Sequence, residues 1–255
     1  MGSEGRRGHS CGRRMARSSS REVLAVLKSD AVPKSDVVFL LDVDNTLLDN
    51  DRFAADLGGH VESCFGAAQR ARYWEIFGRR REALGLADYL GALQEFRSGL
   101  DDDPQLLGMS DFLLEYPFAD RLFPGALDAV AHLRTLGLPA VLSDGDIVFQ
   151  PRKIRRSGIA AAVEGRVLIY LHKEKVLDHM QQHYPAKHYV MVDDKANLLA
   201  AMKSVLGESL TTVFVRQGHY ALAAESNSVR PAPDLTVERI GDLLNHNLTD
   251  FKVRP

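Results

Sequence analysis

Four aspartates dominate the chemistry this chain could perform. Asp42 and Asp44 stand one residue apart in DVDNTL, with Thr46 two places beyond, and Asp193 and Asp194 are neighbours far downstream. Brought together they would repel, since two like charges about 4 Å apart cost roughly 4 kcal/mol at an effective dielectric near 20. A cation would resolve that conflict. The donors are all oxygen, and the two cysteines, Cys11 and Cys64, cannot build a thiolate site, so a hard ion is implied. Mg²⁺ suits best, because it is content with one or two carboxylates, waters and a substrate phosphate. Ser143, Asp144 and Gly145 in LSDGD and Lys173 in YLHKEK supply a hydroxyl, a further acid, a turn and a cation.

Each of these residues follows an apolar run. Val37 to Leu41 is wholly apolar, as are 140–142 and 189–192, and weaker runs occupy 167–171 and 212–215. Short continuous apolar runs mark strands covered on both faces of a parallel sheet. Between them lie helical patterns: Leu127, Val130, Leu133 and Leu136 at spacings of three, with Pro124 before them and Gly137 as a stop, then 196–205, and a last helix predicted over 237–244. Alternation of this kind predicts an α/β fold, a doubly wound parallel sheet, whose ligands sit outside the carboxyl ends of the strands. The residues named above all fall on that edge. The stretch from Asp42 to Ser143 far exceeds the roughly 30 residues of a strand, crossover helix and strand. Its surplus reads as helices built on Phe53, Leu57, Val61 and Phe65, on Tyr73, Ile76 and Phe77, on Tyr89, Leu90, Leu93 and Phe96, and on 111–114. The organisation expected is a basic leader over 1–33, a sheet core over 34–51 and 119–250, and a mainly helical cap over 52–118.

The order of these motifs resembles the haloacid dehalogenase (HAD) superfamily, the aspartate-nucleophile phosphohydrolases, over most of 37–244. The resemblance implies a HAD-like Rossmannoid core and a Mg²⁺-dependent phosphatase acting on a small phosphorylated metabolite. It implies that Asp42 attacks phosphorus, and that Asp44 serves as general acid and then general base. Ser143 with nearby backbone N–H groups, and Lys173, would hold the phosphoryl oxygens, with Thr46, Asp144 and Gly145 completing that subsite. The metal would bind Asp42, Asp44 through its main-chain carbonyl, and Asp194, with Asp193 close by. Members that displace halide or pump ions lack an acid at the second position, so Asp44 points to phosphate ester chemistry. The family's lysine is often followed by proline, whereas Glu174 follows Lys173 here. Lys173 is preferred for its distance to the next helix, with Lys175 and Lys153 as alternatives. Two other functions stay open: a phosphotransferase or mutase using the same nucleophile, and a binding protein that keeps only the fold.

Composition narrows the setting. Formal charge is −2, yet six arginines against one glutamate fill the first 21 residues, leaving 26 basic and 33 acidic residues in the rest. A mildly acidic body argues against nucleic acid as a partner. No apolar run nears the roughly 18 residues of a membrane span, and a cytoplasmic location is expected. Several residues carry bland expectations: RKIRR around Lys153 and Arg79 to Arg81 as solvated helix faces, His172 as an exposed strand-end residue, Tyr73 and Trp74 as core, and His179 with His183 as a pair lacking a third metal ligand.

Overall fold

The computed structural model describes residues 35–223 and 228–253; the leader expected over 1–33 lies outside them. Six parallel strands form one sheet in the order β3-β2-β1-β4-β5-β6. They are β1 (Val37–Leu41), β2 (Leu138–Asp144), β3 (Val167–Tyr170), β4 (His188–Asp193), β5 (Leu210–Val215) and β6 (Leu235–Val237). Every residue of β1 is buried, as an apolar strand sandwiched between helix layers must be. Chain order reverses direction between β1 and β4, which is where an open sheet leaves a crevice beyond its strand ends. Register fixes what reaches that crevice: Leu41 lies beside Val141 on one side and Val192 on the other. The next residues on, Asp42 and Asp193, therefore stand together.

Five α-helices occupy the interval between β1 and β2, the first four being α1 (Asn50–Phe65), α2 (Ala67–Leu84), α3 (Tyr89–Phe96) and α4 (Gln105–Glu115). Asp49 caps α1 by accepting the Arg52 N–H at 2.8 Å. Phe53, Leu57 and Val61 recur every fourth residue and form its buried stripe. At Gly58 a Cβ would lie 3.1 Å from the Trp74 indole nitrogen, so glycine lets α1 and α2 approach. Tyr73 is fully buried, with Trp74 packed beside the core. The Phe53 ring meets those of Tyr89, Tyr116, Phe118 and Phe149 at 4.9–5.7 Å. Phe149 opens α6 (Phe149–Arg156), so the core of the inserted helices runs on into that of the sheet.

The remaining helices are α5 (Ala126–Leu136), α7 (Ile159–Ala162), α8 (Leu177–His183), α9 (Ala196–Leu206) and α10 (Gly218–Leu222). Gly137 ends α5 where a Cβ would sit 2.6 Å from the Val37 carbonyl oxygen. The helix predicted over 237–244 is corrected: Val237 closes β6, and only a 3-10 turn, Ile240–Asn245, follows. A three-residue edge strand has too short a pattern to be told from a helix start. Among the described residues no helix is long and apolar enough to cross a membrane.

Asp234 fastens the segment before β6. Its carboxylate accepts the Thr212 N–H and hydroxyl at 2.9 and 3.1 Å and pairs with Lys203 and Lys252 at 3.0 and 2.5 Å. Burial would raise its pKa, but those bonds outweigh burial and hold it at about 2. A depressed pKa contributes stability that is present above the unfolded value, near 3.9, and lost as pH falls through about 2. Asp234→Asn should therefore lower the Tm by roughly 2–4 °C at neutral pH, with the gap to wild type closing in acid. Parallel thermal melts between pH 7 and 2 check this, and a gap unchanged down to pH 2 would contradict the assignment.

Candidate active site

A turn aims the first aspartates. Asn45 has a left-handed backbone (φ 61°), tolerable for asparagine, and its Oδ1 accepts the N–H groups of Asn50 and Asp51 at 3.0 and 3.2 Å. Gly218, also left-handed, has no room for a Cβ, which would lie 2.5 Å from the Asn45 Cβ. The chain thus leaves β1 in a fixed turn, with Asp42 and Asp44 in different surroundings.

Asp42 is 3% exposed, and Lys173, Asp193 and Asp194 are fully buried. The Lys173 ammonium bridges Asp42 Oδ1 at 2.5 Å and Asp193 Oδ2 at 2.6 Å, and donates to the Leu142 carbonyl at 3.3 Å. Burial alone would lower the lysine's pKa, but Asp193, Asp42 and Asp144 together hold it well above its ordinary value. Thr46 donates to Asp42 Oδ2 at 3.3 Å, and Asp193 Oδ1 accepts the Lys195 N–H at 2.8 Å. Asp194 is different: neither carboxylate oxygen has a hydrogen-bond partner. Burial, then Asp193 and Asp42, push its pKa up to about 9.

Oxygens of Asp42, Asp193 and Asp194 lie within 4.8 Å of one another, the only such grouping of potential metal ligands among the described residues. Three carboxyl groups share a buried pocket with one contacting ammonium, and the orphaned Asp194 oxygens point to a missing positive partner. A hard divalent cation fits this donor set. The Asp44 carboxylate is not in it.

Asp44 belongs to a second network. Its Oδ1 takes the Lys153 ammonium at 2.7 Å, and its Oδ2 the Gln150 side-chain amide at 3.3 Å. Gln150 also donates to the Ser143 hydroxyl at 3.0 Å, and Lys153 to Asn50 Oδ1 at 2.9 Å. Lys153 is 1% exposed, with its ammonium 5.3–6.0 Å from the ring centres of Phe149, Phe53, Phe118 and Tyr89. This corrects the reading of RKIRR as a solvated face. Arg152 and Arg156 do pair with Glu115 at the surface, but Lys153 shares the buried side of α6 with Phe149, Gln150 and Ile154. That spacing was the signal: positions i, i+1, i+4 and i+5 of a helix share one face.

Other expected site residues have structural partners. Asp144 Oδ1 accepts the Lys173 N–H at 2.7 Å and so fixes the lysine's turn. Burial raises the Asp144 pKa against the pull of Lys173. The Gly145 N–H donates to the Tyr170 carbonyl at 3.0 Å. A Cβ there would meet the Gln150 Cβ at 2.7 Å, so the glycine lets Gln150 reach Ser143. Lys175 is exposed. His172, expected to be exposed, is half-buried, because its ring lies where a Cβ on Gly85, at the end of α2, would come within 2.7 Å. His179 Nδ1 lies 2.6 Å from the Tyr170 hydroxyl.

Residues 37–205 match the family of haloacid dehalogenase-like hydrolases. Among solved structures, the chain is similar to a haloacid dehalogenase-like hydrolase from Burkholderia xenovorans LB400, with 57% identity, 87% of this chain and 100% of that one covered, and a TM-score of 0.80. It shares its fold with a HAD-hydrolase from Bacillus subtilis bound to magnesium, at 15% identity, 82% and 96% coverage and a TM-score of 0.56. The same holds for the L-2-haloacid dehalogenase from Xanthobacter autotrophicus, at 18%, 83% and 97%, and 0.51. No curated protein matches.

Proposed function

Because this chain belongs to the haloacid dehalogenase-like hydrolases, an enzyme family, we propose that it is a Mg²⁺-dependent phosphohydrolase that cleaves a small phosphate monoester. The observation that carries this reading is the separation of the two carboxylates. Asp42 sits in the acidic pocket against Lys173, while Asp44 is held outside it by Lys153 and Gln150, with a quarter of its side chain exposed. Displacing halide needs no proton on the leaving group. Expelling an alkoxide does, and a second carboxylate facing the solvent side is suited to deliver it.

Asp42 attacks phosphorus with one carboxylate oxygen while Lys173 holds the other, and Thr46 limits its rotation. The phosphorus–oxygen bond to the alcohol breaks as Asp44 passes its proton to the departing oxygen. Asp44, now ionised, removes a proton from water, whose oxygen attacks the phosphoryl group on Asp42. Phosphate leaves and Asp42 is restored. The Ser143 hydroxyl, oriented by Gln150, is placed to donate to a phosphoryl oxygen. Mg²⁺ held by Asp42, Asp193 and Asp194 would supply charge neutralisation of the transferring group.

The test is phosphate release from a panel of monoesters with Mg²⁺, beside chloride release from 2-chloropropionate. Ester turnover without dehalogenation is expected, and the reverse pattern would overturn the proposal. The ion should also be visible without turnover. Saturation at about 100 times Kd is worth roughly 2.7 kcal/mol, or about 5–10 °C in Tm for a chain of this size. EDTA should remove that gain, and Asp194→Asn should never show it. An equal gain in that variant would place the ion elsewhere.

A further inference from the structure

The segment that follows β5 touches the catalytic turn with three residues in succession. Gln217 Nε2 donates to the Thr46 carbonyl at 3.2 Å, and its Oε1 accepts the Ile240 N–H at 2.7 Å, so the amide is anchored from behind. Gly218 lies against Asn45 with no space for a Cβ between them. His219 reaches further, to the start of α1. Its backbone N–H donates to Asp51 Oδ2 at 2.8 Å, and its ring Nδ1 lies 2.5 Å from Asp51 Oδ1, an acceptor to which that nitrogen must bring its proton. Asn45 Nδ2 donates to the same carboxylate at 3.0 Å, while Asn45 Oδ1 holds the N–H groups of Asn50 and Asp51. Asn50 in turn accepts the Lys153 ammonium that holds Asp44. Asp44 is thus tied to His219 along two routes: through the adjoining Asn45, and through Asp51, Asn50 and Lys153.

We propose that His219 is a positioning residue for the proton transfer assigned to Asp44, acting through Asp51 and the Asn45 turn without touching substrate. The inference rests on the phosphohydrolase reading. The pair is poorly placed to stabilise the fold, because the His219 and Asp51 side chains are 53% and 38% exposed, and exposed pairs add little to folding. What it restrains is local. α1 begins at Asn50, where the inserted helices leave the sheet core. Without the ring of His219 the Asp51 carboxylate turns to water, Asn45 loses one side of its restraint, and both the turn and Asn50 can shift. Proton transfer is sensitive to such a shift, since the acid must stay within hydrogen-bond reach of the departing oxygen. Asp42 is better insulated, because Lys173 and Thr46 hold it directly.

The experiment compares kcat/KM, which covers the step in which the alcohol leaves, for a simple alkyl phosphate and p-nitrophenyl phosphate in wild type, His219→Ala and His219→Asn. In His219→Ala the alkyl ester should slow about tenfold, a part of what positioned proton transfer contributes, with its KM little changed. p-Nitrophenyl phosphate, whose leaving group needs little protonation, should slow less than about threefold. The Tm should stay within about 2 °C of wild type. His219→Asn should recover most of the loss, because its side-chain amide can donate where Nδ1 does. Equal rates in wild type and His219→Ala overturn the assignment and leave the phosphohydrolase standing. So does an equal slowing of both esters that His219→Asn fails to relieve, the pattern of a residue that merely packs. Turnover of neither ester by wild type overturns both readings.

Discussion

Asp42→Asn should abolish ester hydrolysis, with a loss on the order of 10⁴-fold or more, the scale seen when a covalent nucleophile is removed. Asparagine has nearly the same shape. Its amide oxygen can still accept from Lys173, while its NH2 group donates to the Thr46 hydroxyl in place of the bond Thr46 gives the carboxylate, so the loss would report chemistry rather than a collapsed site. Stability should move the other way. The wild-type pocket holds three carboxylates against one contacting ammonium, and removing a like charge relieves repulsion of a few kcal/mol at most. Without Mg²⁺ the variant's Tm should equal or exceed that of wild type. With Mg²⁺ the wild type should gain more, because the variant has lost an anionic ligand. Phosphate release and melts with and without the ion check both halves. More than a tenth of wild-type activity in Asp42→Asn would remove Asp42 as nucleophile.

The sheet was legible in the sequence because a parallel strand buried on both faces leaves an unbroken apolar run, and the residue after each run had to be at the crevice. Register then did the rest: Asp42 and Asp193 follow Leu41 and Val192, which are paired across β1 and β4. The helices between β1 and β2 were legible for a related reason, since Phe53, Leu57 and Val61 repeat at helical spacing. What was hidden depends on side-chain reach. Nothing in LSDGD shows that the Gly145 N–H goes to Tyr170. Arg79 to Arg81 look alike in sequence, yet among the described residues Arg79 and Arg80 pair with acids and Arg81 lies over the Tyr220 ring. The edge strand β6 was hidden by its brevity.

Lys153 is where the sequence misled most, and replacing it by methionine should separate catalysis from stability. Methionine keeps the length and packing of the side chain, and the surrounding rings of Phe53, Tyr89, Phe118 and Phe149 would accept a thioether. Burying an ammonium is costly even when it is paired, so exchanging it for an apolar group of like volume is commonly neutral or stabilising. The partner left behind, Asp44, is a quarter exposed and can be solvated. The Tm of Lys153→Met should therefore hold or rise. Activity should fall about 100-fold, the lower end of what positioned proton transfer contributes. The reason is geometric: Asp44 would keep only the 3.3 Å contact from Gln150 and could swing away from the leaving oxygen. The loss should be in kcat more than in KM, and largest for alcohols that leave poorly, because p-nitrophenolate needs little help from an acid. Lys153→Arg should not restore it, since a guanidinium overfills a space closed by four rings. Comparing kcat for an alkyl phosphate and p-nitrophenyl phosphate in wild type and Lys153→Met decides the matter. If both esters slow equally while the Tm drops, Lys153 is a packing residue and its bond to Asp44 has no part in proton transfer.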